Sequence, residues 1–298
     1  MKYDFLDPGA LARLGAIPLE ARHAMTGNVA GRHRSPHRGS SVEFAEYRKY
    51  VQGDDTRRLD WKAYARSDRY YIKEFEADTN LRAYFVLDAS GSMGFSAAND
   101  ARIQFARKLA ATLAYLIVDQ GDAAGLSVCK EKLHIEIPPT RRAAHLNHIF
   151  EVLSKTEPTG ETGLIDALHV IAEKINQRAL VIILSDLFCD THALADALQH
   201  LRYRKHDIAV FHMLDKQEID FDFERPHRFV DMEDKTSVVA EPVLIAEDYR
   251  AAMKEFMETV QTKCHDVHAD YHLITTDQNY EEIIHSFLTT RLPKKGKK

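Results

Sequence analysis

The sequence predicts an α/β fold built on a doubly wound, mostly parallel sheet with an antiparallel edge strand. Three observations carry that expectation. Leu180-Val181-Ile182-Ile183-Leu184 is apolar throughout, as a strand covered on both faces must be. Strand-like and helix-like patterns alternate from residue 81 onward, which is the order of βα units. Two short strand patterns, 124–129 and 133–137, are separated only by Lys130-Glu131-Lys132, a hairpin spacing suited to a sheet edge.

The elements follow in order. A short helical pattern covers about Pro8 to Arg22, and residues 27–41 have the glycine, serine, histidine and arginine content of a loop. Residues 42–51 suit strand or helix, Gly53-Asp54-Asp55 is a turn signal, and 70–75 alternates like a strand. A buried strand at 83–88 precedes a helix from about Ala97 to Asp119. After the hairpin come helices at about 143–154 and 163–175, the apolar strand, a helix at 193–203 and a strand at 208–214. The acidic, aromatic segment 218–224 shows no regular pattern. A helix at about 246–265, a short strand at 271–274 and a helix at 280–288 end the fold, and 293–298 is a basic tail. The expected division is an N-terminal segment, 1–80, packed on a larger domain, 81–292.

Composition narrows the function. Over 298 residues, 45% are hydrophobic and 29% charged, ordinary values for a globular protein. A formal net charge of -5 gives no electrostatic support for nucleic-acid binding. No apolar run approaches the roughly 18 residues of a membrane span, no signal core follows Met1, and three scattered cysteines suit a reducing compartment. The expectation is a cytoplasmic protein with no membrane span.

Chemistry concentrates in Asp88-Ala89-Ser90-Gly91-Ser92. One acid and two hydroxyls sit on a turn at the carboxyl end of a strand, where open α/β sheets bind ligands. These hard oxygens suit Mg2+ or Mn2+. The spacing resembles the metal-ion-dependent adhesion site of von Willebrand factor A domains. That resemblance implies a Rossmann-like A fold, and adds Thr162, from Gly160-Glu161-Thr162, and Asp186, which follows the apolar strand. It assigns hydroxyl oxygens to Ser90, Ser92 and Thr162, with Asp88 and Asp186 acting directly or through water. Neutral hydroxyls would leave the ion electrophilic and open to a carboxylate of another protein. A plainer reading makes Ser90 and Ser92 helix caps and gives Asp186 the same task.

Two catalytic readings compete. The same turn resembles the Asp-x-Asp-Gly-Thr turn of haloacid dehalogenase-type phosphatases, with Asp88 as nucleophile and 186–190 as the later acidic loop. Ser90 stands where such an enzyme needs an acid to protonate the leaving group, which a serine does not do. Ser90-Gly91-Ser92-Met93-Gly94 lacks the first glycine of a hydrolase elbow, and no Walker loop occurs. His33 and His37 lie four apart in an arginine-rich loop; Cys264-His265 with His268, a candidate soft-metal group, reads better as a polar helix end, and Cys189 with His192, a candidate nucleophile pair, reads better as packing and surface residues.

The stretch from Arg48 to Arg66 is similar to the signature of the bacterial domain of unknown function 58 (DUF58) family. It matches at Arg48, Tyr50, Gly53, Asp54, Asp55, Arg57, Asp60, Trp61, Lys62, Ala65 and Arg66, with Leu59 in place of isoleucine. The resemblance spans about residues 10 to 292. It implies a von Willebrand A-like protein whose relatives are often encoded beside MoxR-type AAA+ ATPases, hence an adaptor or assembly factor for such an ATPase and a client protein. Arg57, Asp60, Trp61 and Arg66 either brace the segment through salt bridges or form a docking surface for a partner.

Overall fold

A computed structural model describes residues 3–20, 43–49, 61, 64, 66, 69–76, 81–96, 102–223, 225–233 and 235–292; within 43–49 and 72–76 it describes the backbone alone. The chain divides into two compact units: residues 21–81, and residues 1–20 together with 82–298.

In the smaller unit, β1 (Glu43–Lys49) and β2 (Tyr71–Glu76) form an antiparallel pair whose register shifts between Phe44 and Glu46. Residues 42–51, open to either assignment in the sequence, thus contain a strand. Trp61 meets Tyr64 edge to face at 6.3 Å, and Tyr64 stacks on Tyr70 at 4.5 Å. Arg66 is exposed, whereas Arg57 and Asp60 lie outside the described residues, as do the loop histidines His33 and His37 and the basic tail.

The larger unit is built on a six-stranded sheet in the order β10-β7-β6-β3-β4-β5, with β3 (Arg82–Asp88), β4 (Ala123–Cys129), β5 (Leu133–Thr140), β6 (Leu180–Ser185), β7 (Asp207–Leu214) and β10 (Asp270–Thr275). All neighbours are parallel except β5, which runs antiparallel to β4 at the edge. The fold is the expected α/β architecture, a mostly parallel sheet with an antiparallel edge strand. Helices α1 (Pro8–Leu14), α2 (Arg102–Asp119), α3 (Ala143–Lys155) and α8 (Tyr280–Arg291) pack together, as do α4 (Leu164–Lys174), α5 (Thr191–Tyr203) and α7 (Pro242–Asp266). Alternation along the strands separates the cores. Val86, Val181, Ile183 and Val210 join the α4, α5 and α7 residues Leu168, Leu198 and Val260. With every residue of β6 and β7 buried, neither strand can alternate apolar with polar.

Three elements differ from the sequence reading. α1 ends at Leu14, capped through Gly15, because Pro18 prevents its continuation to Arg22. Regular elements follow Asp215: α6 (Lys216–Asp220) starts from a capping box of Asp215 and Glu218, and β8 (His227–Val230) pairs with β9 (Ser237–Ala240) as a separate hairpin. α7 begins at Pro242, with proline in the first turn, ahead of the expected Ala246. No described helix is long and apolar enough to cross a membrane.

Strand order places the site. The chain runs from β3 outward to β4 and β5, then returns to β6 on the other side of β3. The crevice opens where that order reverses, between the carboxyl ends of β3 and β6. Leu87 pairs with Leu184 in register, so Asp88 and Ser185 emerge side by side.

Candidate metal centre

Three loops meet at this crevice, held together by their backbones. Gly91 N donates to Gly160 O at 2.8 Å, Thr159 N to Ala89 O at 3.0 Å, and Gly163 N to Lys130 O at 2.6 Å. Gly160 adopts φ +79, a left-handed turn that glycine accepts without strain. The loop then enters α4 just after Thr162.

All five residues expected from the sequence converge. Asp88 is 1% exposed. Its Oδ1 accepts from Ser90 N at 2.9 Å, and its Oδ2 from Ser185 Oγ at 2.7 Å and Thr162 Oγ1 at 3.3 Å. The Oγ atoms of Ser90 and Ser92 lie 3.1 Å apart. Asp186 is buried; its Oδ1 accepts from Phe188 N at 3.3 Å, while Oδ2 has no hydrogen-bond donor and meets the Arg102 guanidinium at 3.2 Å. Ser90 precedes the 3-10 turn Gly91–Gly94 without making a side-chain cap bond, so capping does not account for its hydroxyl. Asp190, not Asp186, caps α5.

Burial, then repulsion from Asp186, pushes the Asp88 carboxyl up to about 6 despite the hydrogen bonds it accepts. A carboxylate held against its own solvation calls for a positive partner. The donor set fits a small hard cation. Octahedral Mg2+ with bonds of about 2.0–2.1 Å has neighbouring oxygens roughly 3.0 Å apart, close to the spacing of the two serine hydroxyls. Among the described residues no three His, Cys, Asp or Glu side chains form a metal-binding group of their own. Any ion here would rest largely on hydroxyls.

Four neighbours escaped the sequence reading. Ser185 Oγ, besides donating to Asp88, accepts from Leu187 N at 2.9 Å. Leu187 is held at φ 56, an uncommon conformation for a branched side chain. Arg102, 1% exposed at the start of α2, contacts Asp186, Glu218 Oε2 at 3.1 Å and Ser92 O at 2.5 Å. Glu233, in the β8–β9 turn, accepts from Thr162 N at 3.2 Å and from the Ser92 hydroxyl. The three-residue spacing of Asp215 and Glu218 was a capping-box signal that could have placed Glu218; nothing in the sequence marked Arg102 or Glu233 as neighbours of Asp88.

Of the other pairs considered in the sequence, those built on Cys189 and Cys264 lie within the described residues, and both cysteines belong to packing. Burial pushes the Cys189 and Cys264 thiols up to about 12, which leaves neither as a ready nucleophile or thiolate ligand. Cys264 packs within the core.

Residues 46–262 match the family described as Protein of unknown function DUF58. The chain belongs to the DUF58 family. This DUF58 protein is 24% identical over 223 residues to the uncharacterized protein Rv1480 of Mycobacterium tuberculosis, covering 74% of this chain and 70% of that one. Among solved structures it is similar to an aerotolerance-related membrane protein from Bacteroides fragilis, with 14% identity, a TM-score of 0.50, and coverage of 71% of this chain and 100% of the other. It is also similar to the SpRpn10 VWA domain, with 8% identity, a TM-score of 0.42, and coverage of 70% and 94%.

Proposed function

We propose that this DUF58 protein is a non-catalytic, metal-dependent protein-binding module. The supporting observation is the convergence of Asp88, Ser90, Ser92, Thr162 and Asp186 from three loops at one crevice. Ser90, Ser92 and Thr162 would hold Mg2+ or Mn2+, with Asp88 and Asp186 beside it. The ion supplies an electrophilic point that attracts a carboxylate, and the chain's own groups orient it. Arg102 offsets the charge of Asp186 and thereby limits the negative charge around the ion. By the family resemblance, the module serves a cytoplasmic MoxR-type AAA+ ATPase acting on a client protein, and Arg57, Asp60, Trp61 and Arg66 are its docking residues.

The phosphatase alternative fares worse on geometry. Asp88 is buried, and both of its oxygens accept hydrogen bonds from protein groups, so it is poorly placed to attack a phosphate. No acid stands at position 90. Calorimetric titration with Mg2+ and Mn2+ tests the reading: wild type binds, and Asp88→Ala does not. Identical heats from the two proteins would sink it. Hydrolysis of a generic aryl phosphate that disappears in Asp88→Asn would instead favour the enzyme. Proteins that co-purify equally with Mg2+ and with chelator would remove the metal from partner binding.

A further inference from the structure

The turn of the β8–β9 hairpin lies directly over the Asp88 turn. A Cβ added at Gly91 would fall 2.4 Å from the Met232 carbonyl oxygen, so only glycine permits this approach. The next residue, Glu233, sends its carboxylate between two of the proposed metal donors, onto the Thr162 N–H and the Ser92 hydroxyl. The turn is braced for this placement. Asp231 Oδ1 accepts from Glu233 N at 2.7 Å, and Lys235 Nζ donates to Met232 O at 2.8 Å.

Charge makes the arrangement unusual. Glu233 reaches Thr162 and Ser92 close enough to Asp186 to feel its charge, and no ion pair joins Glu233 to a basic side chain among the described residues. The nearby buried cation, Arg102, is engaged by Asp186 and Glu218. Asp88 and Asp186 are buried and Glu233 is half-buried beside them, and acids gathered where water is scarce need a compensating positive charge. A divalent cation on the serine and threonine hydroxyls, with Glu233 reaching it from the hairpin side, would supply it.

We infer that Glu233 is an internal carboxylate ligand of this metal centre, occupying the face that a partner's carboxylate would otherwise take. The inference rests on the metal-site reading and adds its regulation: an acidic segment of a partner must displace the hairpin to reach the ion. The hairpin is suited to displacement. It has two strands of four residues, and Val238 and Val239 are 66% and 75% exposed. Isolated two-stranded hairpins are marginally stable. Among the described residues its anchors include the Gly91 contact, Glu233, the stacking of Phe229 on Phe221 at 5.5 Å, and the packing of Phe223 against Phe229 and His227.

Mn2+ bound to the full chain tests this, read by electron paramagnetic resonance for affinity and by water-proton relaxation for solvent on the ion. Glu233→Ala lowers Mn2+ affinity about tenfold or more and raises the relaxation enhancement as water replaces the carboxylate. Acetate then lowers that enhancement in Glu233→Ala and not in wild type. Glu233→Gln, which keeps the side-chain length, shows the same loss of affinity, and melting in chelator verifies that each variant is folded. Equal affinity and enhancement in wild type and Glu233→Ala, with Asp88→Ala unable to bind, overturns the role of Glu233 and leaves the metal site standing. Wild type that binds no Mn2+ overturns both.

Discussion

Replacing Asp88 by asparagine is expected to stabilise the metal-free protein while abolishing its response to metal. In the folded state the carboxyl is raised from 3.8 to about 6, first by burial and then by Asp186. The folded protein therefore binds a proton more tightly than the unfolded chain does. The penalty is absent below about pH 4, grows as pH rises through 6 and is complete above about pH 7. A shift of this size corresponds to about 3 kcal/mol. Asparagine removes the charge and keeps the shape. Its carbonyl can still accept from Ser90 N, and its amide can donate to Ser185 Oγ, which then gives up its bond toward position 88 and keeps the one from Leu187 N. Imperfect amide geometry reduces the gain, so about 1–3 kcal/mol is expected at pH 8, or several degrees in Tm for a chain of this size. The assay is thermal melting of wild type and Asp88→Asn in chelator at pH 4.5 and pH 8, repeated with excess Mg2+. The variant melts higher at pH 8, and its advantage fades at pH 4.5. Mg2+ raises the wild-type melt, by about 2.7 kcal/mol at a hundredfold excess over Kd, and leaves the variant unmoved. An asparagine variant less stable than wild type at pH 8 in chelator would falsify the account of Asp88 as a carboxylate held at a cost for function.

Gly91→Ala drives a Cβ into the Met232 backbone, which cannot rotate away, and should cost about 1–3 kcal/mol of hairpin docking. Amide exchange over 227–240 should accelerate while β3 and β6 keep their protection; unchanged exchange in the hairpin would contradict the close packing. His212, buried in β7 with Nδ1 against Tyr271 Oη at 2.8 Å, is pushed down to about 4 by burial. Because the folded state resists protonation more than the unfolded chain, stability should fall as pH drops from 6.5 through 4, by about 3 kcal/mol. His212→Gln should flatten denaturant-derived stability over that window, and an unaltered slope would show that acid loss arises elsewhere.

Much of the fold was legible along the chain because its signals are local. An apolar run such as 180–184 has few ways to satisfy burial other than a covered strand, and Lys130-Glu131-Lys132 marks the turn of the β4–β5 hairpin. The N-terminal signature was legible in the same way, as residue types at fixed spacing. The β8–β9 hairpin was not. Its strands of four residues are too short for a period to show, and they are mostly exposed, so no alternation of apolar and polar residues marks them.

The sequence by itself determined the candidate residues, Asp88, Ser90 and Ser92 from their own spacing and Thr162 and Asp186 from the resemblance that this spacing carries. Connectivity of the βα units sends the strand ends that hold Asp88 and Asp186 to one side of a sheet. Tertiary structure decided the electrostatics. Arg102 lies on α2, Ser185 points back from β6, and Glu233 arrives on a hairpin that belongs to none of the three loops. Charges interact through space at distances that chain separation does not encode. Whether Asp88 meets another acid, a guanidinium or an internal carboxylate was therefore settled only when the sheet, the helices and the hairpin came together.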